Sequence, residues 1–98
     1  MKPRAKTDEE VREEFLNKVK GLSRYWSQVE GRSDLEKCEG VAFSILNIFD
    51  GTSGDLPAMD IVLSPHESDK EYCIDNKENW YEPGMVINNC SLHEVFYK

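Results

Sequence analysis

Val11, Phe15, Val19, Leu22, Trp26 and Val29 recur at steps of 4, 4, 3, 4 and 3, a spacing that lays them along one stripe of an α-helix. The stripe predicts a helix over residues 7–30. Thr7-Asp8-Glu9-Glu10 opens it as a capping box, in which the Thr7 hydroxyl accepts from the Glu10 amide and the Glu10 carboxylate returns to Thr7. Acids crowd the first turn, and Lys18, Lys20 and Arg24 follow, the order the helix dipole favours. Gly31 stands where a left-handed cap belongs. A second capping box, Ser33-Asp34-Leu35-Glu36, starts a helix over 33–50. Leu35, Cys38, Ala42, Ile45 and Phe49 form its stripe, and Gly51 offers a stop. Between Val41 and Phe49 only Ser44 and Asn47 are not apolar, so this helix needs cover on more than one side. The short connection at Gly31-Arg32 makes the two an antiparallel hairpin. Gly21 and Gly40 then fall nearly level. Either close backbone approach offsets the roughly 1 kcal/mol that each costs against Ala, or both occupy exposed positions.

After Gly51 the pattern changes. Thr52-Ser53-Gly54-Asp55 reads as a loop. Met59-Asp60-Ile61-Val62-Leu63 alternates and ends at Pro65, a short strand. Ser64-Pro65-His66-Glu67 suits a single helical turn, and Tyr72-Cys73-Ile74 a second strand closed by Asp75-Asn76. Glu82-Pro83-Gly84-Met85 fits a type II turn that folds Trp80-Tyr81 against Met85-Val86-Ile87 as a hairpin. Ser91-Leu92-His93-Glu94 is a third capping box, opening a brief helix through Val95, Phe96 and Tyr97. The predicted fold class is α+β in one domain, 1–98. Residues 1–6 form a flexible N-terminus, 7–30 and 33–50 the helical hairpin, and 52–98 a small irregular antiparallel sheet with a short C-terminal helix. At 11.3 kDa one modest core is available, with a radius of gyration of roughly 13 Å.

Charge sharpens the picture. The net charge is −7. Residues 1–37 hold 9 Lys/Arg against 8 Asp/Glu, whereas residues 38–98 hold 3 against 11, a balance of −8. Acids in this number keep a small protein soluble. They also repel phosphate backbones and attract a basic protein face or a cation. No nucleic-acid partner is therefore expected, although Lys18, Lys20, Arg24, Arg32 and Lys37 surround Tyr25 and Trp26. No apolar run approaches the roughly 20 residues of a membrane span, and the start of the chain lacks a signal-peptide core. Three cysteines, Cys38, Cys73 and Cys90, are an odd count that fits free thiols in a reducing cytoplasm.

Candidate chemistry is sparse. His66, Cys73, Cys90 and His93 supply potential zinc ligands, and Cys90 to His93 can close on one ion, but no Cys-x-x-Cys exists. Each cysteine also suits a small buried slot. Asp75-Asn76-Lys77-Glu78-Asn79 places Lys77 where a calcium loop wants oxygen. No nucleophile elbow or phosphate-cradling loop is present, and no catalytic set can be named, so a non-enzymatic role is expected and no cofactor. Trp80 and Tyr81, flanked by Glu78, Asn79 and Glu82, either plug the helical hairpin or anchor a partner.

Glu39-Gly40-Val41-Ala42-Phe43-Ser44-Ile45-Leu46, running on to Asp50-Gly51, is one of four strings with a shared likeness. The others are Ser64-Pro65-His66-Glu67-Ser68-Asp69-Lys70-Glu71-Tyr72, Glu78-Asn79-Trp80-Tyr81-Glu82-Pro83-Gly84 and Leu92-His93-Glu94-Val95-Phe96-Tyr97. Over residues 35–98 the chain resembles small bacterial proteins of prophages and other mobile elements. The resemblance implies a cytosolic accessory protein and carries no site residues; adaptors and inhibitors are frequent among such proteins. The expectation is a binding module for a basic protein surface, an adaptor or inhibitor, using Glu67, Asp69, Glu71, Asp75, Glu78, Trp80, Tyr81 and Glu82. The alternatives are a small zinc-binding domain on the four Cys and His residues, or a homodimer formed through the apolar helix surface that one small domain cannot cover.

Overall fold

A computed structural model describes residues 2–98; Met1, part of the expected flexible terminus, lies outside the described residues. Four helices follow in order: α1 (Asp8–Ser27), α2 (Asp34–Phe49), α3 (Asp69–Asp75) and α4 (Leu92–Val95). The first two begin as their sequences dictate. Thr7 Oγ1 accepts from the Glu10 amide and Ser33 Oγ from the Glu36 amide, and both glutamates return the bond to the capping residue's N–H. The N-terminal arm is tied to α1 by ion pairs from Arg4 to Glu10 and from Lys6 to Glu14.

Facing side chains make the hairpin antiparallel. Phe15 meets Phe49 with ring centroids 5.7 Å apart at one end, and at the other the Trp26 indole Nε1 donates to Ser44 Oγ at 3.1 Å. Gly40 explains itself here: a Cβ on it would lie 2.5 Å from the Trp26 ring. Gly40 and Gly21 do not meet, because nothing approaches within 4 Å of a Cβ at Gly21. α2 closes in a Schellman motif. Thr52 N–H donates to Asn47 C=O and Gly51 N–H to Ile48 C=O, with Gly51 at φ 78°. Cover on the second side of α2 comes from α4, where Phe43 packs against His93 and Tyr97. The stripe of α2 starts later than expected. Leu35 and Cys38 are exposed, and burial is greatest at Gly40 and Ile48.

The expected α+β class is not what forms. Among the described residues there is no sheet, only one antiparallel bridge between Val62 and Val86. Three causes are visible. Tyr72, Cys73 and Ile74 are wound into α3 rather than extended. Residues 85–87 pair with 61–63, not with Trp80-Tyr81: Leu63 N–H donates to Met85 C=O and Ile87 N–H to Ile61 C=O. The ladder is then cut short at both ends. Gly84, at φ 78°, forms a bulge with Met85 opposite Leu63. Beyond Ile87 the Asn88 carboxamide replaces the backbone, accepting from Ile61 N–H at 2.8 Å and donating to Met59 C=O at 2.6 Å.

The single helical turn expected at Ser64 starts instead after Ser68. A carboxylate oxygen of Asp69 accepts from His66 N–H at 3.0 Å and holds the preceding turn. α4 also differs in its cap. Ser91 makes no capping bond; both Asp50 oxygens do the work from the end of α2, receiving Leu92 N–H at 3.0 Å and His93 N–H at 2.9 Å. The whole is a thin slab, 51 × 47 × 20 Å, with a radius of gyration of 17.8 Å rather than roughly 13 Å. Among the described residues the buried hydrophobic side chains are Ile48, with none of its surface exposed, and Leu56.

Candidate functional site

Residues 64–83 leave the slab as an excursion whose ends are pinned by Gly84 N–H donating to Leu63 C=O at 2.9 Å. α3 lies inside it and packs on no other helix. Its own ends are locally made. After Asn76, Lys77 N–H returns to Ile74 C=O and Glu78 N–H to Cys73 C=O at 2.8 Å, a second Schellman closure. Here the left-handed position, φ 58°, is occupied by Lys77 instead of glycine.

The excursion folds back on itself to form a groove of about 320 Å³, with Pro65, Glu67 and Lys70 on one side and Trp80, Tyr81 and Glu82 on the other. Lys70 Nζ stands 5.0 Å above the Trp80 ring, and the indole Nε1 donates to a Glu82 carboxylate oxygen at 2.8 Å. These two contacts hold Trp80 across the groove, 39% exposed, with Tyr81 beside it at 74%. The aromatic pair does not plug the hairpin; it faces outward.

Six carboxylates and two lysines fall within 64–83. Asp69 is used in the turn and Glu82 on the indole. Glu67, Glu71, Asp75 and Glu78 make no ion pair or side-chain hydrogen bond among the described residues. In the slab some acids are engaged, with Lys18 paired to Asp55, Arg32 to Glu36 and His93 to Asp50. Others there, such as Glu30, Glu39 and Asp60, are among the described residues as free as those of the excursion. What sets the excursion apart is that its free acids stand beside exposed Trp80 and Tyr81. All eight residues expected to bind a partner thus sit on one excursion, and Glu67, Trp80, Tyr81 and Glu82 share its groove.

The four zinc candidates are not brought together. His66 and Cys73 belong to the excursion, Cys90 and His93 to the approach and start of α4, and among the described residues no group of three His, Cys, Asp or Glu is placed to share an ion. His66 Nδ1 is engaged with Ser68, and the cysteines are free thiols, with Cys38 and Cys90 exposed rather than buried.

Sequence reasoning missed Asp50. Its side chain is buried, Oδ2 lies 2.5 Å from His93 Nδ1, and the imidazole edge meets Phe43. Burial pushes the Asp50 carboxyl up, but the amides of His93 and Leu92 and the His93 ring together outweigh it and hold the group below the usual carboxylate range. An Asp–His pair orients a general base in many hydrolases. In this protein no side chain among the described residues hydrogen-bonds the other ring nitrogen, and both Asp50 oxygens are consumed by the α4 backbone. The pair works as a staple. No local signal marks it, since the partners stand 42 and 43 positions apart.

Comparisons with protein-family models, with curated proteins and with solved structures gave no match to this chain. Among the described residues no helix is long and apolar enough to cross a membrane.

Proposed function

We propose that the protein is a non-enzymatic binding module, an adaptor or inhibitor that docks residues 64–83 onto a basic surface of another protein in the bacterial cytoplasm. The observation that carries this reading is the set of unpaired carboxylates, Glu67, Glu71, Asp75 and Glu78, beside exposed Trp80 and Tyr81 on one projecting segment. Carboxylates without internal cation partners keep their full attraction for an incoming cationic face, which speeds encounter and sets register. Aromatic side chains with a polar tip supply contact area at small entropic cost, which is why they recur as anchors. Free thiols are in keeping with a reducing compartment.

The test is a pull-down from bacterial lysate with the wild-type chain and a Glu71→Lys, Glu78→Lys, Tyr81→Ala variant in parallel. A protein held stoichiometrically by the wild type at low salt, released at high salt and lost from the variant is the expected result. Equal retention by both chains, or retention indifferent to salt, would remove the excursion and its charge from the account.

A further inference from the structure

The slab leaves more surface uncovered than a compact monomer of its mass. A monomer of 11.3 kDa exposes about 5,700 Å² by the scaling of folded surface with mass, yet this one exposes 8007 Å². The excess is roughly 2,300 Å². Obligate dimers bury about 2,000–5,000 Å² over both partners, so even half of the excess, with the rest assigned to the N-terminal arm and the excursion, suffices for a stable pair.

The bridge shows where a second chain fits. Val62 and Val86 face each other without exchanging hydrogen bonds, since the inward bonds come from Leu63, Gly84 and Ile87. In an antiparallel pair that geometry turns the N–H and C=O of both valines to the outer edges. Among the described residues neither amide has a partner. The side chains of Val62, Met85, Val86 and Ile87 are between 37% and 49% exposed. A two-stranded ribbon with open edges and apolar side chains is marginal alone and a template for a further strand.

Charge identifies the occupant. From 83 to 93 and from 61 to 66 the chain carries no Asp, Glu, Lys or Arg. A basic protein gains no attraction from this stretch, whereas a copy of the same acidic chain can approach here without bringing carboxylates together. We infer that residues 84–88 pair antiparallel with the same residues of a second copy about a two-fold axis at Val86. The two Val86 residues exchange N–H···O=C bonds, and the result is a four-stranded sheet with a row of valines, Val62 and Val86 of each copy, on one face. Such a contact is isologous and closes as a dimer. It stands independently of the acidic docking reading.

Sedimentation equilibrium of the full chain tests it, with twice 11.3 kDa expected. Val86→Pro removes the outward amide together with the valine side chain and leaves the intrachain ladder donors Leu63, Gly84 and Ile87 in place; it should sediment at half the wild-type mass with unchanged helical circular dichroism. If that variant loses its helical signal, Val86→Lys is the second probe. It sets two ammonium groups at the axis and should be monomeric at low salt, with dimer returning as salt rises. A wild-type monomer at the highest soluble concentration overturns the proposal, as does a dimer untouched by folded variants at Val86. Glu71→Lys should leave the mass unchanged whatever it does to partner capture.

Discussion

The helical body and the 64–83 excursion are built from the same chain by opposite means. In the body, α1, α2 and α4 are joined by contacts between distant residues: Phe15 on Phe49, Trp26 over Gly40, Asp50 on the start of α4. In the excursion nearly every bond is local, from His66 to Ser68 and Asp69, Lys77 to Ile74, Trp80 to Glu82. Long-range contacts fix a shape; local ones shape a segment without tying its surface down. The difference teaches why Glu67, Glu71, Asp75 and Glu78 stay unpaired on the excursion and Trp80 and Tyr81 stay open beside them. There, side chains have no body to pack against, so they remain available to something else.

Matched substitutions of isoleucine break the comparison most directly. Ile48 has 0% of its surface exposed, whereas Ile74 on α3 has 50%. Ile48→Ala should cost about 2–5 kcal/mol through lost burial and the cavity left behind. Ile74→Ala should change global stability by less than about 0.5 kcal/mol. Urea unfolding followed by far-UV circular dichroism measures both. Comparable losses would mean that the excursion is part of the cooperative core.

A pair of glycines tests the body alone, with opposite signs. Gly40→Ala drives a methyl group into the Trp26 indole, whose Nε1 bond to Ser44 must then shift. Overpacking of this kind costs about 1–3 kcal/mol, more than the helix propensity recovered. Gly21→Ala meets open space and should stabilise by about 0.4–1 kcal/mol. Thermal unfolding of the two variants should therefore move in opposite directions from wild type.

Capping of α4 by Asp50 adds a pH dependence to the body. The folded carboxyl lies below its ordinary value, so the stabilisation is present above the unfolded pKa of about 3.9. It is lost as pH falls through the folded pKa, where the carboxylate protonates. Exposed Glu10, Glu36 and Asp55 are also lowered by their partners, so the wild-type acid limb is a composite. The difference between wild type and Asp50→Asn isolates the Asp50 part. Asp50→Asn should unfold with a shallower pH slope below about pH 4, and Asp50→Ala should cost about 1–2 kcal/mol at neutral pH. Identical slopes for wild type and Asp50→Asn would mean that the carboxylate does not hold α4.

What the sequence discloses follows the range of each interaction. Thr7 with Glu10 and Ser33 with Glu36 lie three positions apart, and both capping boxes form as read. The apolar stripe of α1 and the two-sided cover of α2 are periodic signals and are equally legible. Ser91 has the same local pattern as Ser33, yet Asp50 displaces it as the cap, because a buried carboxylate supplied by another helix satisfies two amides at once. Tyr72-Cys73-Ile74 reads as a strand because the three are good β-formers. A run so short has no partner edge to pair with, and Asp69 and the closure at Lys77 favour a helical turn. The six carboxylates of the candidate site are read from charge, and Trp80 and Tyr81 from their place between Glu78 and Glu82; that all eight lie on one segment follows from the chain itself. Their groove is not legible, since it depends on Lys70 and Glu82 holding the indole.

The finest comparison sets the two Schellman closures side by side. Gly51 ends α2 at φ 78°, and Lys77 ends α3 at φ 58°. Glycine adopts this conformation freely, whereas a side chain there costs about 1–2 kcal/mol, partly offset in glycine by the entropy it loses on folding. Lys77→Gly should therefore stabilise the end of α3 by about 0.5–1 kcal/mol. Because α3 packs on no other helix, the gain belongs to the local opening of the excursion rather than to global unfolding. Hydrogen exchange at the Lys77 and Glu78 amides, which close the motif, should slow several-fold while the urea midpoint stays fixed. The opposite pattern, an unchanged local exchange rate with a raised midpoint, would place the excursion within the same cooperative unit as the helical body.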